Sequence, residues 1–324
     1  MVMNTKQIIG SYLSDKLRKA LDNIEEEEFQ KIEEIRIRAN KPVIIKMNQS
    51  EAFVTEAGII MSRPEILENP ADDLYKPKIT EISKILELAS NYSLYAFEEE
   101  LKNGYITLAG GHRVGITGRV VVEKGHVKTI KNVNGFNIRI SHEVKGCADK
   151  ILPYVAAKGV KHTIIISPPG CGKTTLLRDL ARQISDGIAG IAAGQEVSII
   201  DERSEIAGCY MGIPQNDVGI RTDVLDGCPK DYGMLMLLRS MAPKVIVVDE
   251  IGKQADIHAI EAIVNAGVKL ICSVHGNGID DILKKPVLSE LVNKSIFERI
   301  VVLGSRFEQT VYDEKFEELK IGGI

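Results

Sequence analysis

The amino-acid sequence predicts an α/β protein of two domains, with a smaller α+β domain first and a parallel-sheet domain after it. The chain has 324 residues, which is long for a single hydrophobic core. Up to about residue 145 the patterns are mainly those of β-hairpins. From about residue 146 strand patterns alternate with helix patterns, which is typical of a mostly parallel sheet flanked by helices. We therefore expect domains at 1–145 and 146–324.

The composition indicates a packed globular protein of a reducing compartment. Hydrophobic residues make up 44% of the chain, and the net charge of -4 gives no overall basic field for nucleic-acid binding. The five cysteines are odd in number and form no C-x-x-C, which argues against a disulfide framework or a zinc site. No apolar run approaches the ~18 residues that span a bilayer. We expect a cytoplasmic protein whose contact with a membrane is peripheral.

The first domain begins with apolar residues at helical spacing over 6–24, which predicts one amphipathic helix. Short β-like segments follow, and 51–61 has the pattern of a hairpin. The expected order is then a proline-rich loop over 63–78, a helix from about Thr80, a helix over 94–103, two or three antiparallel strands over 104–133, and a strand over 136–141.

In the second domain, segments with the apolar spacing of a strand alternate with segments that have the apolar spacing of a helix. Its expected elements are helix 147–158, strand 162–166, helix 174–185, strand 196–201, a long loop 202–230, helix 231–241, strand 244–248, helix 254–266, strand 268–273 and two closing strands in the last segment.

A phosphate-binding loop is predicted between the first strand and the second helix of this domain. The segment "SPPGCGKT" nearly fits G-x-x-x-x-G-K-[ST], with Ser167 in place of the first glycine. Ser is small, and it suits the first position if its φ angle is negative. Lys173 supplies charge for the β- and γ-phosphates, and the Thr174 hydroxyl suits Mg²⁺. The expected nucleotide-binding residues are Ser167, Pro168, Pro169, Gly170, Cys171, Gly172, Lys173, Thr174 and Thr175.

Two apolar strands end in carboxylates at the expected ligand edge of the sheet. "KVIVVDEIG" places Asp249 to hold the hydration shell of Mg²⁺ and Glu250 to polarise an attacking water. "VSIIDERSEIAG" brings Glu202 to the same edge, where it competes with Glu250 as the general base. The sequence leaves this choice open. A solvated acidic turn is the alternative for either segment.

One histidine and several arginines are further candidates. His275 follows the strand of "KLICSVHG", where it can sense the γ-phosphate or serve as a structural histidine. An arginine from a neighbouring subunit can complete an ATPase site, whereas each arginine alone can also be a surface ion-pair partner. The candidates are Arg36, Arg38, Arg113, Arg119, Arg139 and, on the long loop, Arg221.

The ordered segments "SPPGCGKTTLLRD", "IIDERSEIAG", "GIRTDVLDGCPK", "LRSMAPKVIVVDEIG" and "SVHG" resemble the stage III sporulation protein AA family, the ATPases of the mother-cell-to-forespore channel. More widely, the chain is similar to the type II and type IV secretion ATPases. This resemblance implies a RecA-like P-loop motor domain behind an N-terminal α+β domain, and a hexameric ring. It implies an acidic box at Asp201-Glu202, a histidine box at His275, and Arg113 and Arg119 as arginines that reach the nucleotide. The Walker B segment of those enzymes usually reads Gly-Glu, where this chain has Asp249-Glu250.

The sequence is therefore interpreted as a Mg²⁺-dependent ATPase of the cytoplasm that is recruited to a membrane. Its expected cofactors are ATP and Mg²⁺, and its expected partners are copies of itself in a ring and the membrane proteins of the sporulation channel. No nucleic-acid partner is expected. The alternatives are a nucleic-acid translocase or helicase, which needs a basic channel with aromatic side chains, and a small-molecule P-loop kinase, which needs an acceptor pocket.

Overall fold

The structure is a computed structural model, which describes residues 4–47, 50–62, 73–93 and 97–320. The chain forms two compact units, Met1–His142 and Glu143–Ile324. The sequence analysis put the boundary after residue 145. Most of the proline-rich segment 63–78 and the start of the helix expected over 94–103 lie outside the described residues.

The first unit contains short helices and longer strands. Among its described residues the helices are α1 (Thr5–Ser11), α2 (Asp15–Asp22), α3 (Glu26–Phe29), α4 (Ile79–Ala89) and α5 (Glu98–Lys102), and the strands are β1 (Ile32–Arg38), β2 (Ile44–Met47), β3 (Ser50–Val54), β4 (Ile60–Ser62), β5 (Tyr105–Leu108), β6 (His112–Glu123) and β7 (His126–Arg139).

One antiparallel sheet organises this unit, in the order β4-β3-β2-β1-β7-β6-β5. The hairpin expected over 51–61 and the antiparallel strands expected over 104–133 are therefore confirmed, whereas the separate strand expected over 136–141 is wrong, because its first residues are the end of β7. The two longest strands, β6 and β7, are joined by Lys124 and Gly125, which have φ angles of 51° and 81°. Two successive residues with positive φ form the tight turn that matches the twist of a hairpin.

The single helix expected over 6–24 is wrong, because the chain breaks between α1 and α2. Tyr12 ends the first helix, and Ser14 has the extended backbone of an N-cap residue, with φ of -64° and ψ of 155°. Serine favours a helix start over a helix interior, since its hydroxyl competes for backbone groups. The apolar spacing continues through the break, which is why periodicity alone did not detect it.

The second unit alternates strands with helices. Among its described residues the strands are β8 (Thr163–Ser167), β9 (Gly187–Ile188), β10 (Ala192–Ala193), β11 (Val197–Asp201), β12 (Thr222–Asp226), β13 (Val245–Val248), β14 (Lys269–His275), β15 (Arg299–Leu303), β16 (Gln309–Asp313) and β17 (Glu318–Leu319), and the helices are α6 (Leu152–Ala156), α7 (Lys173–Asp186), α8 (Lys230–Ser240), α9 (Gln254–Asn265), α10 (Ile279–Leu283) and α11 (Pro286–Asn293).

The large sheet of this unit runs in the order β12-β11-β13-β14-β8-β15-β16-β17. The strands from β12 to β15 pair in parallel, and β16 and β17 close the edge in antiparallel pairing. Successive side chains of a strand point to opposite faces. Accordingly, Ile165 packs in one hydrophobic cluster, while Ile164 and Ile166 pack in another. Both faces of the central strands are therefore covered, as the apolar runs predict.

Two expectations for this unit are wrong. Strand β12 lies inside the predicted loop 202–230, where it pairs in parallel with β11. It is an edge strand with the polar sequence "TDVLD", so it lacks the apolar run that marks the central strands. The helix expected over 147–158 is reduced to the five residues of α6, and Pro153 occupies its first turn. Among the described helices, none combines the length and the hydropathy that a membrane span requires.

Candidate functional site

The candidate site lies at the carboxyl edge of the parallel sheet. Strand β8 ends at Ser167, and its neighbour β14 ends at His275, which is the register partner of Ser167. On the other side of β14, strand β13 ends at Val248 and is followed by Asp249 and Glu250. Ligands of open α/β sheets bind at this edge, because the connecting loops and helix N-termini converge there. The topology therefore brings together residues that are up to 108 positions apart in the sequence, from Ser167 to His275.

The loop after β8 has the backbone that a phosphate-binding loop requires. Gly170 and Gly172 have φ angles of 76° and 85°, which L side chains rarely adopt. A Cβ atom on Gly172 would also lie 2.6 Å from the ring of Phe307. Ser167 is fully buried and does not have a positive φ angle, so the glycine of the usual pattern is not needed there. Helix α7 begins directly after Gly172 and directs its N-terminus toward the loop.

Lys173 is enclosed by the two carboxylates that follow β13. Its Nζ atom lies 3.0 Å from Asp249 Oδ1 and 3.3 Å from Glu250 Oε1, and its side chain is 6% exposed. Thr174 Oγ1 donates to Asp249 Oδ2 over 2.9 Å, and Ser273 Oγ donates to the other oxygen of Asp249. Burial acts to raise the pKa of Asp249, but the charge of Lys173 and these hydrogen bonds outweigh it and hold the pKa below its usual value.

Glu250 is contacted by two cationic side chains and by one histidine. His275 Nε2 lies 2.7 Å from Oε1, where Lys173 also approaches, and an Arg203 guanidinium nitrogen lies 3.1 Å from Oε2. Burial acts to raise the pKa of Glu250, and the charges of Lys173, Arg203 and His275 together hold it below its usual value. The φ angle of Glu250 is 54°, a value that is uncommon outside glycine and that recurs at functional sites.

Glu202 is held by a different cation. Lys230 Nζ lies 2.8 Å from Glu202 Oε2 and donates to the backbone carbonyl of Glu250, also over 2.8 Å. Lys230 is buried, and Glu202 keeps 28% of its side chain exposed. The structure therefore joins the loop after β11 to the loop after β13 through one lysine. Glu202 and Glu250 lie at the same edge, but Lys173 contacts Glu250.

Asp201 folds the loop after β11. Its buried carboxylate accepts backbone N–H groups of Glu205, Ile206 and Ala207 over 2.8 to 2.9 Å. Burial raises the pKa of Asp201 to about 6, against the lowering effect of these bonds. Its oxygens are therefore occupied by the chain itself, and its neighbour Glu202 carries the side chain that faces the edge.

Four residues of the site were not recognised from the sequence: Arg203, Lys230, Ser273 and Phe307. Lys230 did carry a signal, because a lysine in the first turn of a helix opposes the helix dipole and so calls for a local anion. Ser273 carried another, as a polar residue inside the apolar strand β14. Arg203 and Phe307 had no such signal, since their neighbours are supplied by distant parts of the chain.

The candidate arginines have different environments. Arg113 and Arg119 belong to the first unit, on β6, where the Arg113 guanidinium lies 3.6 Å from the centroid of the Tyr105 ring and Arg119 is exposed. Arg36 is paired with Glu34 at 3.0 Å. Arg221 donates to the carbonyl of Ser185 in the last turn of α7, at the opposite end of that helix from the phosphate loop.

A pocket of about 760 Å³ opens beside the phosphate loop. Gly172 and Thr175 border it on the loop side, and Val144, Lys150 and Phe307 contribute to its other walls. Its volume falls within the range of small-molecule and cofactor sites. The pocket is continuous with the loop, so a ligand whose phosphates occupy the loop has space for its remainder here.

The donor set at Thr174 and Asp249 fits Mg²⁺. A hydroxyl and a carboxylate oxygen, 2.9 Å apart, are hard oxygen ligands of the kind that Mg²⁺ prefers. Mg²⁺ is bound by one or two side chains together with water and substrate phosphates. The described residues contain no group of three or more His, Cys, Asp or Glu side chains arranged as a metal site.

Comparison with known proteins identifies the family. The sequence model of the family described as "Sporulation stage III, protein AA" matches residues 3–319. The chain belongs to this family. It is 43% identical over 295 residues to stage III sporulation protein AA of Bacillus subtilis (strain 168), which covers 91% of this chain and 90% of that protein. A second relative, protein SEEDLING PLASTID DEVELOPMENT 1 of Arabidopsis thaliana, is 32% identical over 162 residues, which are 49% of this chain and 22% of the plant protein.

Solved structures share the fold of the stage III sporulation protein AA family member described here. The Yersinia pseudotuberculosis ATPase DotB matches with a TM-score of 0.57 and 14% identity, over 94% of this chain and 81% of that chain. The Legionella pneumophila ATPase DotB gives 0.52 and 14%, over 94% and 77%. The pilus retraction motor PilT with bound ADP gives 0.54 and 15%, over 88% and 80%. The expected architecture, an N-terminal α+β domain followed by a RecA-like P-loop domain, is confirmed.

Proposed function

We propose that this chain is a Mg²⁺-dependent ATP hydrolase that powers the assembly of, or transport through, a specialised secretion channel between mother cell and forespore. The observation that carries the proposal is the cluster of Lys173, Thr174, Asp249 and Glu250 at the carboxyl edge of the sheet. A cation, a hydroxyl and two carboxylates meet where a phosphate-binding loop opens onto a helix N-terminus. These are the functional groups that phosphoryl transfer to water requires.

Each residue of the cluster has a distinct role in this proposal. Lys173 binds the phosphate oxygens, and the loop from Ser167 to Thr175 surrounds them with backbone N–H groups. Thr174 and Asp249 would hold Mg²⁺, which when bound supplies positive charge to the β- and γ-phosphate oxygens. His275 reports on the γ-phosphate through its contact with Glu250.

Glu250 is the general base that the geometry favours. Its carboxylate lies 3.3 Å from the lysine of the phosphate loop, and its lowered pKa keeps it ionised at neutral pH, as a base must be. Glu202 is paired with Lys230 and not with the lysine of the phosphate loop, so it lies beside a different cation from the one proposed to bind the phosphates. Glu202 therefore remains the second candidate.

The base of the nucleotide has space in the pocket beside the loop. The ring of Phe307 is positioned next to Gly172, and an aromatic ring at a pocket wall offers a stacking surface for a nucleobase. We expect Phe307→Ala to weaken ATP binding, because base–aromatic stacking contributes about 1–3 kcal/mol.

A ring of subunits, most simply a hexamer, completes the proposed site. The arginines proposed to reach the γ-phosphate of a neighbouring subunit are Arg113 and Arg119. Arg119 is exposed, and within the described part of the chain no carboxylate lies within ion-pair distance of it. An exposed arginine without an acidic partner is suited to contact an anion supplied from outside.

The biological setting of the proposal comes from the family. The relative from Bacillus subtilis is named a stage III sporulation protein, and the two DotB structures are of ATPases. We propose that the protein acts in the cytoplasm, at the inner face of a membrane, where it docks on the membrane proteins of the channel. No nucleic acid is expected among its partners, since the net charge is -4.

Phosphate release from ATP by the purified full chain tests the enzymatic part. We expect steady release with Mg²⁺ and without any acceptor substrate, and loss of release when EDTA removes the metal. Lys173→Ala is the matched control for a contaminating ATPase. Release that requires an added acceptor would indicate a kinase, and release that depends on DNA or RNA would indicate a nucleic-acid motor.

The cellular part is tested in sporulating cells. Replacement of the chromosomal copy by Glu250→Gln should block sporulation while the protein is still produced. A pull-down with membrane proteins retained should recover channel components. Normal sporulation in the Glu250→Gln strain would contradict a role for hydrolysis in this process.

A further inference from the structure

We infer that Arg203 is a catalytic arginine that acts within its own subunit: it leaves Glu250 and binds the γ-phosphate when ATP enters the site. The inference rests on the proposed ATPase function. Arg203 follows Glu202 in the loop after β11, and one guanidinium nitrogen lies 3.1 Å from Glu250 Oε2. The side chain that contacts the proposed base is thus a long cation on a neighbouring loop.

The contacts of Glu250 indicate that its carboxylate takes the place of the γ-phosphate when no ATP is bound. Nitrogen atoms of Lys173, His275 and Arg203 lie within 3.3 Å of its carboxylate oxygens. In the proposed reaction the same region of space receives the γ-phosphate, which carries more negative charge than one carboxylate. Lys173 belongs to the phosphate loop and turns to the phosphates on binding. The side chains that share Glu250 with it then lie next to a stronger anion.

The side chain of Arg203 is free to move from Glu250 to the γ-phosphate. Its side chain is 59% exposed, whereas the side chains of Lys173 and Lys230 are 6% and 8% exposed. An exposed ion pair of this kind contributes little to folding stability, so exchange of the partner costs little. The planar guanidinium can bind two phosphate oxygens at once through two parallel N–H groups.

The exchange also prepares the base. While Arg203 and Lys173 bind Glu250, its oxygens are occupied by donors. Once both cations have moved to the phosphates, Oε2 of Glu250 is free to accept a proton from water, while His275 still contacts Oε1. The water oxygen then bonds to the γ-phosphorus as the bond from that phosphorus to the β–γ bridging oxygen breaks. Glu250 takes the proton, ADP and phosphate are formed, and Arg203 neutralises charge on the transferred group.

The test compares Arg203→Gln with Arg239→Gln, which removes an exposed arginine from the last turn of α8. We expect Arg203→Gln to lower kcat by about a hundredfold or more, since arginines that contact the transferred phosphoryl contribute about 10³–10⁵-fold. ADP affinity should stay within about twofold, because ADP lacks the γ-phosphate. Arg203→Lys should recover part of kcat, and Arg239→Gln should behave as wild type.

Three results would overturn the inference. A kcat of Arg203→Gln within about threefold of wild type would leave Arg203 as a surface ion-pair partner. Recovery of activity on mixing Arg203→Gln with Lys173→Ala subunits, in rings shown to be mixed, would mean that Arg203 serves a neighbouring subunit. Absence of ATP hydrolysis by the wild-type protein would remove the proposed function as well, which distinguishes that failure from the other two.

Discussion

Positive charge is arranged differently at the carboxyl edge of the large sheet and on the β6–β7 hairpin of the first unit. At the sheet edge three carboxylates have cationic partners: Lys173 contacts Asp249 and Glu250, and Lys230 contacts Glu202. On the hairpin a cation faces a cation, because Arg119 is the cross-strand partner of Lys131. Like charges that are directly opposite in a sheet destabilise it. The three carboxylates of the edge are thus paired with cations of the second unit, whereas the hairpin has an ion pair between Glu123 and Lys128 and a pair of like charges at Arg119 and Lys131.

This difference supports a division of roles. A neutralised site is stable without ligand and must exchange its internal partners for the ligand, as inferred for Arg203. An uncompensated pair of cations gains stability from an anion that comes from outside. The bulge at Gly118 belongs to the same feature, since a Cβ there would lie 2.8 Å from the Lys131 carbonyl oxygen and the strand register shifts before Arg119. Bulges redirect the side chains that follow them.

Removal of the cation of the phosphate loop should have the largest effect. Lys173→Ala takes away the charge that pairs with Asp249 and Glu250 and that is proposed to bind the phosphates. We expect turnover to fall by more than about a thousandfold, below detection, with ATP binding abolished or strongly weakened. Isothermal titration with ATP and a phosphate-release assay measure both. Wild-type turnover in this variant would show that the site lies elsewhere.

Removal of Arg113 and Arg119 from strand β6 should have the next largest effect on ATP hydrolysis. Arg113→Ala/Arg119→Ala is expected to preserve folding and ATP binding and to lower hydrolysis by about a thousandfold, the range of arginines that act from a neighbouring subunit. Because these subunits keep an intact phosphate loop and Lys173→Ala subunits keep both arginines, mixing the two inactive proteins should restore part of the activity. Mixed rings that remain inactive would argue against action between subunits.

Substitution of the two glutamates at the carboxyl edge of the large sheet should then have different effects on turnover. Glu250→Gln is expected to bind ATP and to hydrolyse it about 10²–10⁴-fold more slowly, which is the usual contribution of a general base. Glu202→Gln is the matched control, and it should stay within about tenfold of wild type because Glu202 contacts Lys230 and not the lysine of the phosphate loop. Equal activity of Glu250→Gln and wild type would assign the base to Glu202.

Removal of the Arg119 charge should also have a smaller effect, a gain in the free energy of unfolding. Arg119→Gln relieves the repulsion with Lys131, and cross-strand pairs of this kind contribute about 0.2–1 kcal/mol. We expect the free energy of unfolding to rise by a few tenths of a kcal/mol in urea titrations, more at low salt than at high salt. A decrease would mean that Arg119 is held by favourable contacts, and the contrast between the two regions would be lost.

The sequence predicted the architecture because its strong signals are local. The apolar runs of β8 and β13 are fully buried, and G-K-T-T follows directly after one of them, so strand, loop and helix could be located together. Strand β12 was missed because its alternating polar sequence resembles a loop. Helix α6 was overestimated, because the residues directly before it form hydrogen-bonded turns that have the same apolar composition as a helix.

The pairings within the site could not be predicted in the same way. Sequence position brought Glu202, Glu250 and His275 to one edge, but it could not show that Lys230 binds Glu202 or that Arg203 binds Glu250. Those partners depend on the path of the loop after β11, which Asp201 fixes through three backbone hydrogen bonds. The roles of the site residues remain predictions, and the substitutions above test them.

The smallest effect is expected at the one position where the phosphate loop departs from its pattern. Ser167 is the last residue of β8, fully buried, without a positive φ angle, and its hydroxyl donates to the carbonyl of Pro168 over 3.0 Å. The proposed phosphate contacts begin at Gly170. Ser167→Gly should therefore leave ATP affinity within a few-fold of wild type, while a glycine in a strand costs about 0.5–1 kcal/mol of stability. ATP titration and thermal unfolding separate the two quantities. Loss of ATP binding in a folded Ser167→Gly protein would mean that the serine itself holds the nucleotide, and that the hydroxyl has replaced the glycine for a functional reason.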